Sequence, residues 1–119
     1  MRAHMATYGL VLGLMTQACG GAAVPHEQMT AAEASVRAAD VGGAQASPQA
    51  ELRLKQARDQ IEEAKKSIAE GENEKAYYIL LRAESDAELA LALAEEESAK
   101  TQALEALKRI QKLMGEAQS

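Results

Sequence analysis

The feature that most constrains this fold is a long segment without a helix-breaking residue. No glycine or proline occurs between Gly71 and Gly115, and small apolar residues recur there every three or four positions. These residues are Ala76, Leu80, Ala83, Ala87, Ala90 and Ala94. Their spacing matches the 3.6 residues of an α-helical turn and places them on one face. The sequence therefore predicts one helix from about Glu74 to Met114, about 60 Å long at 1.5 Å per residue.

A second helix with the same spacing precedes this one. Ser47 and Pro48 are typical of a helix start, because serine can cap the N-terminus and proline fits the first turn. The apolar stripe that follows consists of Ala50, Leu54, Ala57, Ile61, Ala64 and Ile68. The helix should end before Gly71, after about 33 Å. Since only a short link separates the two helices, and Asn73 can cap the second of them, we expect an antiparallel hairpin.

A shorter helix is expected before the hairpin. Thr30 and Glu33 have the spacing of a capping box, in which each side chain bonds to the backbone of the other. A Gly-Gly pair at Gly42 ends this helix, and 119 residues suit one domain. The sequence thus predicts an all-α fold, a short N-terminal helix plus a long antiparallel hairpin with a coiled-coil-like Ala/Leu seam. The helical domain should span residues 30–114, followed by a tail, 115–119.

The two long helices differ in length, so the third helix should extend beyond its partner. The second helix ends opposite about Ala94, and residues beyond Glu97 have no evident partner within the chain. Another stripe nevertheless follows, half a turn away from the first, and Leu89 lies near its face within the hairpin. The candidate partner-interface residues are Leu89, Ala103, Leu107, Ile110 and Met114.

Two interpretations of this second face stay open. The first helix could cover it within the hairpin, with the rest of the third helix solvated. Alternatively, the face could pair with another copy of the chain or with a partner protein. For the end of the third helix we favour a partner, because isolated amphipathic helices are marginally stable in water.

The N-terminus has the features of an export signal. Residues 5–15 (MATYGLVLGLM) form an apolar run that is too short to span a bilayer but suits the core of a signal peptide, predicted over residues 1–18. Residues 16–20 (TQACG) resemble a bacterial lipobox, although Thr16 stands where leucine is usual. The resemblance implies that the leader is cut before Cys19 and that this cysteine is acylated, with palmitate among the possible chains. Residues 19–29 would then be the lipidated cysteine and a flexible tether.

The residue after the cysteine suggests a destination. Gly20, where an aspartate would signal retention, resembles lipoproteins sorted to the outer membrane, so the protein is expected there on the periplasmic side. Under the alternative interpretation, an ordinary secretory leader is cut after Ala18 or Ala23, which would release a soluble periplasmic or secreted protein.

The composition argues against several functional classes. A net charge of −5 disfavours nucleic-acid binding, which requires a basic surface. After His26 the chain has neither histidine nor cysteine, so no typical structural zinc site can be built there. The run from Glu95 to Glu97 is interpreted as a solvated helix face. We therefore expect no enzyme activity, no cofactor, no metal and no small-molecule substrate.

The hairpin also resembles a known family. Residues 50–94 are similar to bacterial envelope lipoproteins of domain-of-unknown-function family 4398. Gly71 matches the glycine at the family's helix turn, and residues 86–90 (DAELA) match its Asp-Ala-x-Leu-Ala run. The resemblance implies a lipobox, a short helix and an Ala-rich hairpin, and offers no catalytic residues.

The expected function is therefore that of a non-catalytic outer-membrane lipoprotein that acts as a helical scaffold or protein-interaction module. Its partners would be the membrane, through the lipid, and an envelope protein or further copies of itself. The alternatives are a secreted soluble binding module and a self-associating coiled-coil structural protein.

Overall fold

The computed structural model describes residues 20–119, so the predicted signal peptide and Cys19 lie outside the described residues. Three α-helices follow one another: α1 (His26–Val41), α2 (Pro48–Ala69) and α3 (Asn73–Ala117), with a 3₁₀ turn, Ala44–Ala46, between the first two. Residues 20–119 contain no β-strand. The predicted all-α class, with a short first helix and a long hairpin, is confirmed.

The core is a seam of small side chains along the hairpin. Its α2 side consists of Ala50, Leu54, Ala57, Ile61 and Ala64, and its α3 side of Ala76, Leu80, Ala83, Ala87, Ala90 and Ala94. From α1, Ala32, Val36 and Ala39 pack onto the same seam. One predicted member differs, because Ile68 is only half-buried and the neighbouring Ser67 is buried instead. The regular burial pattern of the seam ends at this point because α2 ends one residue later.

The hairpin turn has a specific geometric cause. Gly71 has a φ of +79°, in the left-handed region that favours glycine. Its N–H donates to the carbonyl of Ile68 at 3.0 Å, and the N–H of Glu72 donates to the carbonyl of Ser67 at 2.8 Å. These two bonds form a Schellman motif, which satisfies the last carbonyls of α2 and reverses the chain.

The start of α1 differs from the prediction. The helix begins at His26, one turn before Thr30, because the carbonyl of buried Pro25 accepts the first helical bond from Met29 at 3.0 Å. Thr30 is no cap, since its hydroxyl donates to the carbonyl of His26 at 3.0 Å. The extra turn also packs Met29 against the core. The last four residues of the predicted tether are therefore helical.

The predicted side-chain caps of the hairpin are also wrong. Ser47 precedes α2 as expected, but its side chain makes no capping bond. Asn73 is the first helical residue of α3 and does not cap it. The Asn73 side chain instead donates to the carbonyl of Ala22 at 2.8 Å. This bond ties the segment before α1 to the hairpin turn.

The third helix projects far beyond the bundle, as its length predicted. Ala94 is its last buried residue, and every residue from 95 to 119 is exposed. The helix continues three residues past the predicted end at Met114, because Gly115 adopts helical backbone angles and only Gly43 and Gly71 have positive φ among the described residues. Residues 95–117, named here the projecting helix, are about 35 Å long at 1.5 Å per residue.

Two ion pairs hold α1 against α2. Asp40 pairs with the Arg58 guanidinium, and Glu33 lies 3.8 Å from the ammonium of Lys65. The hydrogen bond from Arg58, with a second one from Gln45, lowers the pKa of the Asp40 carboxyl below its usual value. Protonation of Asp40 therefore weakens the contact between α1 and α2.

This pair predicts a pH-dependent difference between the wild type and Asp40→Asn. Because the folded-state pKa of Asp40 is lowered, its contribution is present above the unfolded-state pKa and is lost as the pH falls through the folded-state value. At pH 7 we expect the wild type to be more stable by about 0.5 kcal/mol, as is usual for exposed pairs. Urea titrations should show this difference shrinking as the pH falls below the usual pKa range of aspartate and vanishing below the folded-state pKa of Asp40. A difference that persists at low pH would contradict this role.

Candidate interaction surface

An apolar stripe runs along the side of α3 that faces away from the bundle. At 100° per residue its members lie within about 40° of one line. They are Tyr78, Leu81, Leu89, Ala92, Ala99, Ala103, Leu107, Ile110 and Met114, named here the outer stripe, and all are exposed. Two polar residues, Ser85 and Glu96, lie on the same line and interrupt the stripe. The outer stripe begins beside the bundle and continues along the whole projecting helix.

The first helix does not cover the outer stripe. It packs on a flank of α3 about 120° from the outer stripe, where Gly42 approaches Leu91 so closely that an added Cβ would collide with the Leu91 Cδ1. Within the hairpin, Leu81 remains 37% and Leu89 41% exposed. Of the two interpretations of this face, coverage by α1 is therefore wrong. Leu89 borders Gln49, Leu52 and Arg53 of α2 in a groove, and the members of the stripe further along α3 are exposed.

The structure places the five predicted interface residues on this one surface. Leu89 lies beside the bundle, and the other four follow along the projecting helix, where Leu107, Ile110 and Met114 are each more than half exposed. The prediction omitted Leu104 and Leu113, which are also exposed and border the stripe on its two sides. At 100° per residue they lie 100° and 80° from Ala103. This follows from the sequence, so the two leucines could have been predicted as neighbours of the stripe.

Charge is distributed unevenly along the projecting helix. Its start carries Glu95, Glu96 and Glu97, and its second half carries Lys108, Arg109 and Lys112. Arg109 lies 4.0 Å from Glu105, and Lys112 lies 3.8 Å from Glu116, each pair one turn apart on the helix. The Glu96 carboxylate accepts a 2.6 Å contact from the ammonium of Lys100, which lowers the pKa of Glu96 and raises that of Lys100. All charged side chains of the projecting helix are exposed. Its acidic start and its basic second half are therefore both accessible to a partner.

A group of polar contacts, named here the clamp, links α3 to α2. The Asp86 carboxylate accepts hydrogen bonds from Arg53 at 3.2 Å and from Gln60 at 2.9 Å. The Asp86 side chain is 16% exposed, whereas that of Arg53 is 43% exposed. Because the two donors reach both oxygens of one carboxylate, the clamp fixes the rotation of α3 relative to α2.

Removal of this clamp should weaken the hairpin. We expect Asp86→Ala to lower the free energy of unfolding by about 1–2 kcal/mol, because two donors from α2 lose their acceptor. Glu88→Ala is the matched control, since Glu88 is exposed and lies about half a turn away on the same helix. Urea denaturation monitored by circular dichroism measures both. Equal midpoints for the two variants would show that the clamp contributes nothing.

Residues 20–119 hold neither a metal-binding cluster nor a membrane-spanning helix. This part of the chain contains no group of three or more histidine, cysteine, aspartate or glutamate side chains arranged to hold a metal ion. Nor does the same range contain a helix with the length and apolar character needed to cross a membrane.

Comparison with known proteins identifies the family. The family model described as "Domain of unknown function (DUF4398)" matches residues 27–117. The chain belongs to the DUF4398 family. A search of curated proteins and a search of solved structures gave no significant match.

The DUF4398 match includes both parts of the molecule. It begins one residue after the start of α1 and ends with the last residue of α3, so it takes in the projecting helix as well as the bundle. The structure shows what the named residues of the Asp-Ala-x-Leu-Ala run do in this DUF4398 chain. Asp86 forms the clamp, Ala87 and Ala90 enter the seam, and Leu89 joins the outer stripe.

Proposed function

We propose that this DUF4398 protein is a lipid-anchored, non-catalytic interaction module on the periplasmic side of the outer membrane. The anchor is acylated Cys19, and the interaction surface is the outer stripe of α3. The lipobox-like segment around the cysteine supports the anchor. The observation that carries the interaction role is the projecting helix, 23 residues long, with an apolar face that no other described residue contacts.

The described segment before α1 determines how the proposed anchor relates to the bundle. Cys19 lies three residues before Ala22, whose carbonyl is bonded to Asn73 at the hairpin turn. Three residues span at most about 10 Å. The lipid would therefore hold the hairpin turn close to the membrane surface, without the longer flexible tether expected from residues 19–29. The projecting helix would occupy the other end of the molecule, since α3 is about 67 Å long.

The anchor is tested by comparing wild type with Cys19→Ser in the native bacterium. Cells are labelled with an alkyne analogue of palmitate and separated into membrane and soluble fractions. The wild type should carry the label and fractionate with the outer membrane, whereas Cys19→Ser should lose the label. If both proteins are unlabelled and fractionate alike, the lipid anchor is refuted and the soluble binding module is the better description.

The interaction surface is tested by site-specific photocrosslinking in the same cells. A photoreactive residue at Leu107 lies on the outer stripe, and one at Glu105 lies on the opposite side of the same helix. We expect discrete crosslinked species from position 107 and none from position 105. Equal crosslinking from both positions, or none from either, would contradict a partner on the outer stripe.

A further inference from the structure

The arrangement of the projecting helix identifies one partner that fits it. We propose that the outer stripe pairs with the outer stripe of a second copy of this chain, in antiparallel orientation and centred near Ala103. This inference rests on the proposed role of α3 as an interaction surface but does not depend on the lipid anchor. Three features of the projecting helix support this pairing: the length of the outer stripe, the sizes of its side chains and the charges on its flanks.

The first argument is the length of the available surface. From Leu89 to Ala117 the stripe covers 29 residues, about 43 Å of helix or four heptads, which is enough for a two-stranded pairing. A second helix that lies beside Leu89 would also meet Gln49, Leu52 and Arg53 of α2, which line a groove together with Leu89. Each projecting helix could therefore pair along its whole length and reach the first exposed residues of the other copy's hairpin.

The second argument is that large and small residues alternate in a complementary way. When two copies run antiparallel about Ala103, Leu107 of one lies opposite Ala99 of the other, and Met114 lies opposite Ala92. Ile110 lies opposite Glu96, whose carboxylate is paired with Lys100 of its own helix at 2.6 Å. Alternation of large and small side chains across facing positions fills an interface without voids or clashes. Ala103 faces itself at the two-fold axis, where its small side chain permits close approach of the helices.

The third argument is the distribution of charge on the two flanks of the stripe. Glu95 and Arg109 lie on one flank, and Glu97 and Lys108 on the other, at 80–140° from the centre line by about 100° per residue. In an antiparallel pair each flank lies beside the same flank of the second copy. Glu95 then lies at the level of Arg109, and Glu97 at the level of Lys108, so the acidic start of each projecting helix runs beside the basic end of the other. Arg109, Glu97 and Lys108, at about 120–140°, lie outside the contact itself and act through the charge of the two helix ends.

A parallel pair in register would lack this complementarity. It would set Glu96 of one copy against Glu96 of the other at the stripe, and place the basic ends side by side. Like charges at such positions disfavour pairing, and flanking charges of this kind set partner choice and orientation in coiled coils. The antiparallel dimer is closed by a two-fold axis and exposes no second apolar face of α3.

The first experiment measures orientation by cysteine crosslinking. All variants are made in the full chain carrying Cys19→Ser, so that no native thiol competes, and are kept in a non-ionic detergent that shields the apolar run of residues 5–15. One chain carries Ala99→Cys and a second, of distinguishable mass, carries Leu107→Cys. Antiparallel pairing predicts rapid disulfide formation in the mixture and slow formation with either chain alone. Crosslinking of each chain with itself, faster than in the mixture, would overturn the antiparallel arrangement.

The second experiment exchanges the charges. The variant E95K/E97K places cations opposite cations and should raise the dimer dissociation constant tenfold or more in sedimentation equilibrium. Adding K108E/R109E to the same chain restores opposite charges and should restore dimerisation. The control E27K/E116K makes an equal change of net charge away from the outer stripe, at exposed positions, and should leave dimerisation unchanged.

The outcomes separate this inference from the proposed function. A wild-type chain that stays monomeric at high concentration, with a helical circular dichroism spectrum, would overturn self-pairing. Crosslinks from Leu107 to a different envelope protein would in that case still support the interaction role of α3. Failure of the quadruple variant to restore a dimer that E95K/E97K has lost would overturn the proposed charge register.

Discussion

Replacing Leu54 with alanine is expected to lower the free energy of unfolding by about 2–5 kcal/mol, the range for removal of a large buried aliphatic side chain. Leu54 is fully buried and is one of the largest completely enclosed side chains in the bundle. Most of its neighbours in the seam are alanines, which cannot change rotamer to fill a void. The cavity should therefore persist, and the loss should include a cavity term as well as the lost burial.

Leu52→Ala is the matched control for this prediction. It makes the same chemical change two residues away on the same helix, but Leu52 is 55% exposed. We expect a change within about 0.5 kcal/mol, as for most surface substitutions. Urea denaturation of both variants and the wild type gives the comparison. If Leu54→Ala prevents folding, Leu54→Val provides a smaller change at the same position, and a midpoint equal to that of the wild type would refute the core assignment.

Enlarging a seam residue should also destabilise the protein, for the opposite reason. Ala87 is fully buried on α3, with the buried alanines Ala83 and Ala90 one turn away on either side. Leucine at position 87 would force the helices apart or push side chains out of their preferred rotamers. We expect Ala87→Leu to cost about 1–3 kcal/mol.

The control for overpacking is Ala34→Leu, since Ala34 is exposed on α1. The same side chain added there should change the stability by less than about 0.5 kcal/mol. Thermal denaturation monitored by circular dichroism measures both variants. Equal melting temperatures for Ala87→Leu and Ala34→Leu would mean that the seam has room for larger residues, contrary to the structure.

The helices and the main packing face could be predicted from local sequence alone. Apolar residues at 3.6-residue spacing specify a helix and its buried side together, so the stripes of α2 and α3 followed directly from the pattern. Gly71 determined the turn, because its left-handed conformation is one that glycine adopts readily. The unequal lengths of the two helices then required one of them to project.

Details that depend on contacts between distant residues could not be predicted without the folded structure. The cap predicted at Thr30 failed because burial of Pro25 and Met29 stabilises an earlier turn, and such burial cannot be read from local sequence. Asn73 was expected to cap α3 but bonds to Ala22, a residue 51 positions away. The sequence did not predict where α1 packs, because its contacts with α2 and α3 form only in the assembled bundle. That position leaves the outer stripe exposed, because a helix that packs on one flank of α3 cannot also cover the outer stripe.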